Sequence, residues 1–225
     1  MNWDLSSWRW VSWNLFLALL PVAMAYALAW GVGRFTIERR RVPWIAWAPL
    51  ALVWFAFLPN TCYLLTEWRH FLFDAPMPAL IHEADTDRGL KLTIAAWGLF
   101  FLAYSGAGAL CWVLGIRPIA RTLRRALPNL LPIGAAFFFL ASLGVYLGLV
   151  IRLNSWDLAT RPGFVLATAL QAVSKPHLLA VMIVFAALLW LLYLAGDIWV
   201  DGLMLRCHGA TSRPANGEPV SALKP

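Results

Sequence analysis

Glu67 and His70 stand three residues apart in a stretch that also carries Asn60, Tyr63 and Asp74. At about 100° per residue in a helix, these five positions fall within an arc of roughly 80°, so their side chains could converge on one partner. A carboxylate and an imidazole one turn apart could hold a divalent metal if Asp157 or His177 completed the shell. The side-chain types suit zinc or manganese. Alternatively, His70 could serve as a general base oriented by Glu67 or Asp157, because imidazole titrates near neutral pH. A second polar stretch, Arg152-Leu153-Asn154-Ser155-Trp156-Asp157, adds a guanidinium able to grip a phosphate or carboxylate through paired N–H groups. On this reading Asn60, Tyr63, Arg152, Asn154 and Trp156 contact a substrate, while His70, Glu67 and Asp157 carry the proton or metal chemistry.

Each of these residues also has a structural role open to it. Glu67 could pair with Arg69 or Arg152, and His70 could simply solvate the exposed side of an interfacial helix. Asn60 follows Pro59 and could bond a backbone group freed by a proline bend. Asn154 and Asp157 are natural turn formers and helix caps. Tyr63 and Trp156 suit membrane interfaces, and Arg152 suits a lipid headgroup. The chain has no HExxH motif, and Cys62, Cys111 and Cys207 form neither a disulfide framework nor a CxxC knuckle.

The elements that must position these side chains are apolar helices. Of the 225 residues 61% are hydrophobic and 13% charged, against about 45–50% and 25% in a soluble domain. Long apolar runs predict spans over residues 11–33, 44–65, 92–114, 131–150 and 178–200. A short run, 164–173, suits a helix that lies on or dips into the membrane, or one buried in the bundle. The expected fold is therefore all-α, a polytopic transmembrane helix bundle of about five spans plus one re-entrant or interfacial helix. The segment 44–73 as a whole is too long to cross upright, and Pro59 predicts a bend within it. Gly144 and Gly148, four residues apart, predict a close helix contact. Residues 1–205 form one transmembrane domain on this reading, and 206–225 a disordered cytoplasmic tail.

Arginine placement sets the expected orientation. The stretches 34–41 and 117–125 are basic and short, which puts both loops and the C-terminus in the cytoplasm and the N-terminus outside. The loop 67–91, with five acids, and the junction 151–177 then share the outer face. Asp197 and Asp201, one turn apart near the inner end, are expected to meet Arg206 or the basic-loop arginines, or to mark an ion path. The net charge of +7 comes from clusters at the ends of apolar runs, which suits anionic lipid headgroups and not nucleic acid.

Phe57-Leu58-Pro59-Asn60-Thr61-Cys62-Tyr63-Leu64-Leu65-Thr66-Glu67 with His70, and Gly144-Val145-Tyr146-Leu147-Gly148 through Arg152-Leu153-Asn154-Ser155-Trp156-Asp157, resemble the DUF1361 family of bacterial integral membrane proteins. Asn14-Leu15-Phe16-Leu17-Ala18 with Pro21 is similar to that family's first helix. The resemblance implies a bacterial inner-membrane location and supplies no reaction. The residues themselves point to an outward-facing site for a lipid-linked or amphipathic anionic molecule, with enzymatic turnover open. The alternatives are a small transporter, or an accessory or structural subunit with a membrane-protein partner.

Overall fold

The computed structural model of the chain describes residues 5–37, 44–67, 77–127 and 129–211. Among them there is no strand. The helices are α1 (Leu5–Ile37), α2 (Trp44–Phe57), α3 (Pro59–Thr66), α4 (Met77–Ala84), α5 (Arg88–Ala126), α6 (Leu131–Leu149), α7 (Asp157–Thr160), α8 (Pro162–Val173) and α9 (Pro176–Thr211). Among the described residues, five apolar stretches are long enough to cross a membrane: Trp8–Arg34, Trp47–Thr66, Arg88–Arg125, Leu131–Leu149 and Pro176–Cys207. The protein is thus a multi-pass membrane helix bundle.

Helix starts follow from local chemistry. Pro59, Pro132, Pro162 and Pro176 sit in the first turns of α3, α6, α8 and α9, where a missing N–H forfeits no helical bond. At α5, the Asp87 carboxylate accepts from the N–H groups of Gly89 (2.7 Å) and Leu90 (3.2 Å), an N-cap. Pro59 also breaks the second span into α2 and α3, as the sequence predicts.

Contacts between helices give the topology. Trp54 of α2 bonds Gly115 O (2.9 Å) and Ser105 of α5 bonds Leu64 O (3.1 Å), so the second span runs antiparallel to α5. Trp112 of α5 donates to Leu189 O (3.2 Å), and Arg117 pairs with Asp197, so α5 and α9 run parallel. Ser142 of α6 donates to Met182 O (2.9 Å) and Phe138 stacks on Trp190, so α6 runs antiparallel to α9. Each side-chain bond spares a polar group from lipid; such bonds average about 0.6 kcal/mol in membranes. The core between them holds Leu58, Cys62, Trp112, Phe138, Leu189 and Tyr193. Outside, Leu52, Ile198 and Leu205 are more than 70% exposed, a surface that only lipid would solvate.

Two boundaries differ from the sequence expectation, and the short helix takes one of the places left open to it. The basic stretch 117–125 is not a loop: α5 continues through it to Ala126, because α9 supplies acids opposite its arginines. At the C-terminus, α9 reaches Thr211, beyond the expected boundary at 205, and residues 212–225 lie outside the described chain. Finally, α8 is about 18 Å long at 1.5 Å per residue, too short to span. Phe164, Leu166 and Leu170 are exposed while Val165 and Ala172 are buried, so α8 lies on the flank of the bundle and not inside it.

Candidate functional site

The site is built where α3 meets the junction after α6. The two helices run parallel at van der Waals distance because glycine lines one of them. Pro59 lies over Gly144, and Tyr63 lies over Gly148 so closely that a Cβ there would collide with its hydroxyl. On its other side α3 presses on α5, where Gly108 faces Leu64 and the Thr61 carbonyl. Gly144 and Gly148 thus make the close contact that their spacing predicts.

Just beyond Gly148, α6 ends through an unusual residue. Arg152 has a φ of 62°, in the left-handed region that side chains with a Cβ seldom occupy. The reversal lets Leu153 N–H reach Leu147 O (3.0 Å) and turns the chain back toward α3. Ser155 then donates to Ala56 O (3.0 Å), a carbonyl at the end of α2 beside the proline break. Asn60 Nδ2 reaches Ser155 Oγ (3.5 Å), joining the two polar stretches. Asn60 is buried, with 7% of its surface exposed, and Thr61 Oγ1 donates to Leu58 O (2.8 Å) across the same break.

Asp157 is buried and fully engaged. Its Oδ2 accepts from Asn154 N–H (2.7 Å), its Oδ1 from Arg161 Nη2 (2.8 Å), and its own N–H donates to Asn154 O (2.9 Å). The Arg161 bond, then the Asn154 N–H, hold its carboxyl below the usual carboxylate range. A carboxylate so held is a weak base, and its geometry is that of a turn lock. Arg161 is the residue missed by sequence reading, although its position four residues after Asp157 in a helical turn was the signal.

The remaining candidates are distributed as follows. Tyr63 is half-buried on α3; Arg152, Asn154 and Trp156 are exposed on the junction. Glu67 stands at the C-terminal end of α3, half-buried. His70 and Asp74 lie outside the described residues. His177 is exposed in the first turn of α9. Among the described residues, no group of three His, Cys, Asp or Glu side chains is arranged to hold a metal ion. A metal centre resting on His70 with Glu67 therefore falls partly outside the description, and Asp157 is occupied by Arg161.

The junction carries both halves of an interfacial surface. Arg152, Arg161 and Lys175 are exposed cations, and between them Trp156, Leu158, Phe164 and Leu166 are exposed apolar groups. Arg161 also covers the Phe164 ring, with its guanidinium carbon 5.7 Å from the centroid.

A family model described as protein of unknown function (DUF1361) matches residues 13–192. The chain belongs to the DUF1361 family. The match covers every spanning helix at least in part, and both motifs that meet at Asn60 and Ser155. No curated protein and no solved structure matches this DUF1361 chain.

At the opposite end of the bundle, a second polar cluster joins α5 to α9. Arg117, only 4% exposed, pairs through Nε with Asp197 Oδ1 (2.8 Å) and through Nη2 with Asp201. Arg121 shares Asp201, and Arg124 approaches Asp197 Oδ2 (3.4 Å). The aspartates thus meet the basic stretch, as one of the sequence expectations has it. Asp197, on which an ion path would turn, is ion-paired on both oxygens.

Proposed function

We propose that this protein is a multi-pass protein of the bacterial inner membrane whose outward-facing polar site binds a lipid-linked or amphipathic anionic molecule. The supporting observation is the closure of the α6–α7 junction onto α3 through Ser155 and Asn60, which fixes exposed Arg152 and Trp156 at the end of apolar helices. A headgroup would meet Arg152, with Asn154, Tyr63 and Asn60 as neutral partners, while its acyl part lay along the exposed apolar faces of α7 and α8. Binding is favoured over turnover because Asp157 is committed to Arg161 and Asn154 and so is poorly placed to move a proton. The outward orientation, with the C-terminus inside, follows from the arginines at the other end.

Native mass spectrometry of the full chain with phosphatidylglycerol and phosphatidylcholine of matched chains tests the reading. Arg152→Gly removes the guanidinium while suiting the left-handed backbone, and should reduce retained phosphatidylglycerol by one molecule without changing phosphatidylcholine. An unchanged phosphatidylglycerol count would contradict the proposal.

A further inference from the structure

We propose that α5 and α9 form a second lipid site, at the opposite end of the bundle, that seats one acyl chain of an anionic phospholipid and grips its phosphate with Arg121 and Arg124. A groove of about 200 Å³ runs between the two helices, lined by apolar groups that include Gly106, Ala109, Leu110, Val113, Gly196 and Trp199. Leu110 and Trp199 are exposed, so the groove opens onto the side of the bundle, where the surrounding medium is lipid. Small residues create it: at Gly106 an added Cβ would meet nothing within 4 Å.

The same face of α5 continues from the groove into the arginines. Residues 106, 110, 113, 117, 121 and 124 follow helical spacing, and all lie within an arc of about 80° at 100° per residue. From Gly106 to Arg121 is about 22 Å at 1.5 Å per residue, longer than the roughly 15 Å of one leaflet's hydrocarbon layer, so the charges sit where headgroups lie.

Charge specifies the headgroup. Three arginines meet two aspartates, leaving one positive charge in excess. Arg117 is buried and takes up an oxygen of each acid. Arg121 and Arg124 are half exposed, 42% and 49% at the side chain, and each gives a single N–H to the pair. With about half of each side chain exposed, their other donors are open to a ligand, and a phosphate diester supplies both the missing charge and the acceptors. Basic pockets between membrane helices are a general setting for anionic headgroups. This site is independent of the one at Arg152.

The test is native mass spectrometry titration of the full chain in the Arg152→Gly background, which removes the headgroup contact proposed at the other end. The probes are phosphatidylglycerol, phosphatidylcholine of the same chains, and glycerol 3-phosphate. Phosphatidylglycerol should bind more tightly than phosphatidylcholine. Arg121→Gln with Arg124→Gln should weaken it about thirtyfold, or about 2 kcal/mol, and leave phosphatidylcholine unchanged. Gly106→Leu fills the groove without touching the arginines and should weaken both lipids. Because the arginine variant could loosen the bundle, its melting temperature is measured without lipid, and Gly106→Leu stands as the second test. Undiminished phosphatidylglycerol binding in the folded arginine variant, or in Gly106→Leu, would overturn the site. Binding of glycerol 3-phosphate as tight as that of the lipid would overturn it too, by showing a soluble-anion site.

Discussion

Replacing Arg117 by Met should be among the most damaging single changes in the protein. The guanidinium is almost wholly buried between α5 and α9 and satisfies one oxygen each of Asp197 and Asp201. Removing it strands Asp197, whose side chain is 8% exposed, with Arg124 at 3.4 Å as its remaining partner. Breaking a buried pair by deleting one partner costs about 3–5 kcal/mol, whereas replacing both by apolar groups is often neutral. Arg124 should hold the loss near the lower figure, about 3 kcal/mol. At about 2–4 °C per kcal/mol for a chain of this size, the melting temperature should fall by roughly 6–12 °C. The structure offers its own reporter, since Cys62 and Cys111 are buried and Cys207 exposed. In a Cys207→Ser chain, a thiol-reactive fluorophore reads unfolding directly. Arg117→Met with Asp197→Leu should recover most of the loss, with Asp201 still held by Arg121. A single variant as stable as the parent, or a double variant worse than the sum of the two single changes, would refute the reasoning.

Further outcomes follow from the site end. Gly148→Ala should destabilise the bundle by about 1–3 kcal/mol through overpacking against Tyr63, and Tyr63→Phe, which removes the colliding hydroxyl, should partly rescue it in the same thiol assay. Arg152→Gly relieves about 1 kcal/mol of left-handed strain and adds a comparable unfolded-state entropy, so its melting temperature should stay within a few degrees of the parent. Asp157 has a carboxyl held low in the folded chain, so its stabilising contribution is present above the usual carboxylate pKa of about 4 and is lost as pH falls through the folded value. Acid unfolding curves should show that limb in the parent, and Asp157→Asn should lack it.

Much of this architecture can be read from the residues because lipid imposes simple rules. Apolar runs of span length become spans, and Pro59 breaks the second one because it lacks an N–H and crowds the preceding turn. Gly144 and Gly148 mark where Pro59 and Tyr63 come close, since only glycine leaves that room. Arg117, Arg121 and Arg124 read instead as a loop, because three arginines in eight residues look like a solvated stretch when their partners lie some eighty residues away on α9. Their spacing, two steps of about one turn, was the helical signal. The role of Asp157 was visible as a capping alternative, but the Arg161 bond needs the turn to be formed first. Nothing in the type of Arg152 announces a left-handed backbone; the turn there is imposed by packing of the junction against α3.

The most direct measurement concerns that packing. In a chain lacking its native cysteines, Asn60→Cys and Ser155→Cys are treated in native membranes with a short bifunctional thiol reagent, and the chain is then cut at a protease site inserted at the Thr86–Asp87 turn between α4 and α5. Because Asn60 Nδ2 and Ser155 Oγ lie 3.5 Å apart, the two fragments should remain joined on a denaturing gel and separate on reversal of the link. Fragments that separate without reversal, while Tyr63→Cys and Gly148→Cys also fail to join, would contradict the meeting of α3 with the α6–α7 junction and the site built on it.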